Sequence, residues 1–260
     1  MNTKQLIEQL KAMGVKEGMD LMMHSSLKRV GPVDGGPDAI IDLLLEILGA
    51  DGTLMMSTVS GSVTPKQPVY HSDHTQSSVG YLSNVFRKRD DVIRSLHPVH
   101  SIAAFGPKAG FYTEGHFKAN TPWSPDNTYG KMMRNNTYIL SLGVDFESNT
   151  CMHALEIEAR VPGLHTREAT MLAVFDTNNV CHKLEHHWHA PKRSYYSDME
   201  HIVEKAGGLT YGKIGNGISR LTNASILRKT LLPIFEKTPE LAIMRLSDND
   251  FIWGEFNSQS

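Results

Sequence analysis

The run Thr137-Tyr138-Ile139-Leu140-Ser141-Leu142-Gly143-Val144 is the tightest constraint on how this chain folds. It is β-branched, aromatic and apolar, which marks an inner strand of a sheet. Asn149-Thr150-Cys151-Met152 follows, then the helix-forming stretch His153 to Arg160, which Pro162 stops. Asn149 or Thr150 is the expected helix cap. A strand that feeds a helix in this way belongs to an α/β protein. On a helix, residues three apart share a face, so His153 and Glu156 could turn into one pocket. A carboxylate beside an imidazole raises its basicity and fixes its orientation, as a general base requires. The spacing also fits an exposed helix pair, or a glutamate that stabilises the first turn.

The rest of the chain repeats the strand–helix theme. Thr3 to Met13 reads as an amphipathic helix closed by Gly14, with Leu6, Ile7, Leu10 and Met13 on one side. Asp20 to His24 is a short strand, and Ser25 to Gly31 its exit loop. Pro37 near the first turn opens a helix over Asp38 to Leu48. Further strands are expected over Thr53–Val59 and Ser101–Phe105, and helices over Val79–Arg87, Ser197–Ala206 and Ile226–Phe235. Thr170–Phe175 and Val180–Leu184, split by Asn178-Asn179, read as an antiparallel hairpin. Residues 60–78 and about 113–128 are polar and turn-rich and read as long functional loops. The expected architecture is a three-layer α/β/α sandwich with a mixed, largely central sheet and long active-site loops. Nothing in the composition divides residues 1–260 into more than one domain.

Charge and composition exclude several roles. The formal charge is 26 − 28 = −2, with no long block of one sign, so no nucleic-acid surface is expected. The segment Met1 to Gln5 has no apolar core of a secretory signal, and no run approaches the roughly 20 apolar residues of a membrane span. Two cysteines, Cys151 and Cys181, are too few for a disulfide scaffold and suit a reducing cytoplasm. Methionine and histidine are both abundant, at 13 each. Methionine is a flexible core filler; the histidines call for a chemical reading.

Four loops carry chemistry. His24-Ser25-Ser26-Leu27 follows a strand, with Gly31, Gly35 and Gly36 behind it, and can offer donors to a phosphate or carbonyl. Arg94-Ser95-Leu96-His97-Pro98-Val99-His100-Ser101 offers a cation, hydroxyls and imidazoles before a strand. Trp123-Ser124-Pro125-Asp126-Asn127-Thr128-Tyr129-Gly130-Lys131 is a turn leading into a helix. Thr150 to Glu156 is the fourth. A rival reading rests on His182, His186, His187 and His189. With Glu185 they could form a zinc hydrolase centre, since His182 and His186 have i, i+4 spacing. No His-Glu-x-x-His motif supports it, and a surface histidine cluster explains the same residues.

Taken in order, these motifs resemble the aminoglycoside 3-N-acetyltransferase family. The likeness runs from His24 to Glu156 and continues more thinly through Gly212-Lys213-Ile214-Gly215 and Arg220-Leu221. It implies an α/β fold unlike that of the common acetyltransferases, and acetyl transfer from acetyl-CoA, as co-substrate, to the 3-amine of a deoxystreptamine antibiotic. No metal is expected. His24, Ser25, Ser26 and Leu27 would line the coenzyme A channel, with Ser95, His97 and Pro98 on the opposite wall. Arg94 would partner a phosphate, and Thr58 and Ser101 would lie near the thioester. His153 would be the base and Glu156 its partner, with Glu156 also in the amine site. Thr150 would donate to the oxyanion. Asp73, Asp126, Glu156 and Asp198 are the carboxylates expected nearest a cationic acceptor. Glu185 to Arg193 departs from the pattern by offering imidazoles and cations where acids would suit that acceptor. A catalytically silent ligand-binding relative is the third reading.

Overall fold

The computed structural model describes residues 1–118, 121–189 and 195–242. Its main sheet runs in the order β4 (Ile93–Arg94), β5 (Ile102–Phe105), β2 (Thr53–Ser57), β1 (Asp20–Ser25), β6 (Tyr138–Leu142), β10 (Gly217–Asn223), β9 (Leu209–Ile214). The central strands β2, β1 and β6 are parallel, and the flanking pairs are antiparallel. This is the mixed sheet expected from the sequence.

Alternation along the central strands explains the layers. Met22, Met55 and Ile139 face one side, where α6 (Thr128–Arg134), α7 (Met152–Glu158) and α9 (Ala224–Lys237) contribute Met132, Leu155 and Leu231 to one core. Leu21, Met23, Leu54, Met56 and Leu140 face the other side. There α1 (Thr3–Met13), α3 (Gly36–Leu48) and α4 (Tyr81–Phe86) supply Leu6, Leu44 and Phe86. Both faces are covered, which is why these strands carry near-continuous apolar runs. The methionines sit chiefly in these two cores, filling irregular gaps.

A second sheet of β3 (Val69–His71), β7 (His165–Phe175) and β8 (Cys181–His189) covers a small cluster of Val63, Tyr70, Leu172 and Val174. The expected hairpin is present and longer than its apolar runs. Its turn uses Asn179 at φ 58°, and Asp176 Oδ1 accepts from the Asn178 and Val180 amides. Several elements differ from expectation. Strand β3 lies inside the segment read as loop 60–78, and a turn of helix, α2 (Leu27–Val30), inside the exit loop of β1. The helix α5 (Ala109–Thr113) and the pair β9–β10 had no clear periodicity. Ile218 and Tyr211 are exposed, and Gly212 and Gly217 interrupt any alternation. Such strands form through pairing with β6 rather than through their own pattern. The helix expected over Ser197–Ala206 is a 3₁₀ turn, Tyr196–Met199, followed by α8 (Glu200–Lys205). Among the described residues no helix is long and apolar enough to cross a membrane.

The Ser-Pro step before α6 and the glycine of the Gly-Lys step within it have a packing reason. A Cβ on Gly130 would stand 2.3 Å from the carbonyl oxygens of Ser124 and Pro125. Backbone lies in that direction, so the clash cannot be relieved by a side-chain rotation. Gly130→Ala is therefore expected to destabilise the protein by at least about 1–3 kcal/mol. Denaturant unfolding measures this, and an unchanged midpoint would contradict the packing role.

Candidate active site

Helix α7 brings His153 and Glu156 onto one face, as their spacing allows. His153 Nδ1 lies 2.7 Å from Glu156 Oε2, and the Tyr196 hydroxyl donates to Glu156 Oε1 at 2.7 Å. The same hydroxyl lies 2.9 Å from His153 Nδ1. The carboxylate is 2% exposed. Burial alone would raise its pKa, but the polar partners His153, His189 and Tyr196 outweigh that and bring it down to about 2. Glu156 is thus a fixed anion. His153 has to direct its Nδ1–H at that anion, which leaves Nε2 with a lone pair.

The supports of this unit extend beyond the motif. Asn149 Oδ1 accepts from the Cys151 amide, so Asn149 secures the chain just before α7, while Cys151 takes the cap position. Glu158, two residues beyond Glu156, accepts from Arg134 on α6 and from Arg228 on α9. That ion network ties α7 to both neighbours. Trp123, 2% exposed, packs against His153 with ring centroids 4.7 Å apart and against His100 at 4.5 Å. The segment read as an open loop at 113–128 therefore supplies a buried wall of the site.

A cavity of about 280 Å³ is lined by Met23, His24, Ser25, Ser57, Val79, Ser83, Val144, Ser148 and Thr150. It lies just below the about 300–1,000 Å³ of small-molecule sites. Thr150 joins the two features, because its carbonyl accepts from the His153 amide at 3.3 Å. Burial pushes the His24 imidazole down to about 4, so His24 is neutral at physiological pH. Its Nε2 is buried with no hydrogen-bond partner among the described residues.

Other expected site residues lie elsewhere. Ser26 holds the N-cap position of α2, and Leu27 lines a separate shallow groove with Lys28, Pro32 and Pro37. Arg94, expected to partner a phosphate, directs its donors into the protein. Nε donates to Thr58 Oγ1 and Ser101 Oγ, Nη1 to the Ser72 and Thr75 carbonyls, and Nη2 to the Thr58 carbonyl. Arg94 is a tie between loops. Thr58 and Ser101 are fully buried and bonded to each other at 2.8 Å, so neither lines the cavity. Ser95 and His97 are also buried, as is Pro98. Ser95 pairs with His116, while His97 accepts from the Val99 and His100 amides. These residues form polar interior rather than a channel wall.

Of the acids expected near the acceptor, Glu156 is in the site but enclosed, with both oxygens engaged by the protein. Asp198 lies in the turn that carries Tyr196. Asp73 accepts from Ser72, Asp126 is exposed before α6, and neither bonds to the dyad. The rival zinc reading of His182 and His186 finds no support. Both lie on strand β8, where four residues span about 13 Å. His182 pairs with Asp176, and His186 is buried beside His97 and Trp188. His187 meets the Thr166 carbonyl. His189 instead joins the dyad: its ring lies 4.6 Å from that of His153, and its Nε2 is 3.8 Å from Glu156 Oε2. Ala190 to Arg193, the remainder of the segment said to lack acids, lie outside the described residues. Sequence reasoning missed Tyr196 and did not connect His189 to His153. Both lie over thirty residues from the motif, and no local spacing signals them.

A three-layer α/β chain here pairs a buried carboxylate with a half-buried imidazole, close along the chain to a small cavity of mixed polar and apolar lining. The aminoglycoside 3-N-acetyltransferase family model matches residues 22–234, and the chain belongs to that family. A relative in Bacillus subtilis (strain 168), the SPbeta prophage-derived aminoglycoside N(3')-acetyltransferase-like protein YokD, is 33% identical over 182 residues, covering 62% of this chain and 66% of that one. The chain spans 61–66% of the length of this and the next two curated relatives. Among solved structures, a histidine-to-alanine variant of aminoglycoside acetyltransferase AAC(3)-IVa in complex with a gentamicin superposes with a TM-score of 0.79. It is 24% identical, covering 95% of this chain and 93% of that one. AAC-IIIb in a binary complex with CoASH gives 0.76, at 22% identity over 91% of this chain and 97% of that one.

Two outcomes follow from this geometry. The Glu156 pKa is lowered on folding, so its contribution to stability is present above about pH 4.5 and lost as pH falls toward about 2. The stability difference between the wild-type protein and Glu156→Gln should therefore shrink across that window in denaturant titrations. A difference independent of pH would contradict the buried anion. Arg94→Met should destabilise the protein by at least about 3 kcal/mol, because several buried acceptors lose their donor. Any thermal shift produced by coenzyme A should survive that substitution. Lost coenzyme A stabilisation at unchanged stability would restore the phosphate role.

Proposed function

We propose that this protein transfers an acetyl group from acetyl-CoA to an amine, the 3-amine of a deoxystreptamine aminoglycoside being the favoured acceptor. The observation that carries the reading is the His153–Glu156–Tyr196 unit, one helical turn along the chain from a cavity wall formed by Thr150, His24 and Ser25. Family membership supports the reaction class. The gentamicin complex and the CoASH complex of structural relatives support the two ligand types.

A thioester is already activated, so no enzyme nucleophile is needed. The acceptor amine is mostly protonated near neutrality, and only its free form attacks. In this reading His153 Nε2 takes the amine proton as nitrogen bonds to the thioester carbonyl. Glu156 stabilises the resulting imidazolium through Nδ1–H, and Tyr196 holds Glu156 in place. The tetrahedral intermediate collapses to amide and thiolate, and the thiolate is reprotonated to the free thiol. Thr150 is the proposed donor to the oxyanion. The unpartnered His24 Nε2 and the Ser25 hydroxyl suit the narrow thioester end of the coenzyme. Tight fixation of both substrates supplies the remaining rate enhancement. Acetyl-CoA as donor implies a cytoplasmic setting, which suits the two free cysteines.

The test is thiol release from acetyl-CoA across a panel of aminoglycosides and simple amines. His153→Ala should lower turnover by at least about a hundredfold, while coenzyme A still raises the melting temperature. Near-normal turnover in that variant would remove His153 as the base. Turnover of simple amines with no aminoglycoside accepted would keep the chemistry and displace the acceptor. Coenzyme A stabilisation with no thiol release from any acceptor would favour a silent binding protein.

A further inference from the structure

His189 gives the catalytic unit a third ligand-type side chain. One ligand atom each from His153, Glu156 and His189 lies within 4.8 Å of the others. Glu156 Oε2 is the centre of the group, 2.7 Å from His153 Nδ1 and 3.8 Å from His189 Nε2. Ligands around a tetrahedral zinc, held at about 2.0–2.1 Å, are about 3.3 Å apart. The 2.7 Å edge would open and the 3.8 Å edge close by about half an ångström each, and the third edge, between the two imidazoles and at most 4.8 Å long, would close by up to about 1.5 Å through rotation of the two rings. His189 Nε2 is enclosed, and its contact with Glu156 Oε2, at 3.8 Å, is too long for a hydrogen bond, so a cation would satisfy it. The donor set is borderline-soft nitrogen with one carboxylate, which suits zinc or cobalt rather than magnesium or calcium.

We propose that His153, Glu156 and His189 form a divalent transition-metal site whose occupation switches the base off. The metal takes the place of the proton now shared between His153 Nδ1 and Glu156. A neutral imidazole that coordinates through Nδ1 carries its proton on Nε2. His153 then has no lone pair left for the acceptor amine, and the Glu156 charge is spent on the cation. Metal and proton compete for the same atoms, so occupation weakens on acidification. The metal is an inhibitor here, not a cofactor. Binding stands independently of the proposed transfer reaction, whereas inhibition rests on it.

The test uses the full chain stripped with a chelator and titrated with Co²⁺ and Zn²⁺. One Co²⁺ per chain should bind with the intense visible absorption of low-coordinate cobalt. His189→Gln and Glu156→Gln should each weaken zinc binding at least about tenfold in competition with a chromophoric chelator. His182→Gln, which alters the Asp176 pair, should leave it unchanged. If Glu156→Gln does not fold, as its melting curve would reveal, His189→Gln carries the test alone. Zinc should abolish thiol release by the wild-type protein, and a chelator should restore it. No bound cobalt, binding indifferent to His189→Gln, or loss of the site in His182→Gln would overturn the proposal. Full turnover with zinc bound would overturn the switch. Because absorption and affinity do not require turnover, failure of the acetyl-transfer reading would be distinguishable from failure of this one.

Discussion

The Glu156 carboxylate organises this structure's chemistry. A lone carboxylate in so enclosed a setting would be protonated, because burial disfavours charge. Here one oxygen meets His153 and the other meets Tyr196, and the charge survives. The consequence for His153 follows directly. Its Nδ1 is committed to the carboxylate, and Nε2 is left for a substrate. The elements that hold α7, namely the Asn149 turn before it and the Glu158 network at its last residue, serve to hold that carboxylate in register.

The cavity near this unit is small and mixed in lining, and its unusual feature is a neutral imidazole at His24 whose Nε2 is enclosed. Strand β1 is central and parallel to both neighbours, so its carboxyl end and that of β6 open toward the same side. His24-Ser25 terminate one strand and the Val144–Thr150 segment follows the other. Ligands in open α/β sheets gather at the carboxyl ends of strands for this reason. The Arg94 knot belongs to the supporting structure. It spends its donors on Thr58, Ser72, Thr75 and Ser101 and so fastens the loops beneath the second sheet to β4.

The central layers and the dyad were legible in the sequence because both rest on local patterns. The apolar runs of β1, β2 and β6 announce strands covered on both faces, and i, i+3 spacing puts His153 and Glu156 on one helical face. What stayed hidden depends on contacts between distant segments. Strands β9 and β10 are polar and glycine-interrupted and take their form from pairing with β6. Tyr196 reaches Glu156 from another element, and His189 does so from the end of a hairpin. The i, i+4 spacing of His182 and His186 carried no metal signal, because the segment was already legible as a strand, where a helical period has no meaning. Arg94 shows a different limit: a cation among hydroxyls looks alike whether it binds phosphate or satisfies buried carbonyls.

The tautomer of His153 tests this arrangement most directly. Nitrogen-15 NMR of the imidazoles, assigned by comparison with His153→Gln, reports which ring nitrogen carries the proton when the ring is neutral. The expected result is a strongly hydrogen-bonded Nδ1–H on His153 that disappears or weakens in Glu156→Gln, with Nε2 unprotonated. A neutral His153 that carries its proton on Nε2 in the metal-free protein would contradict a general-base role, since such a ring could not accept the acceptor's proton.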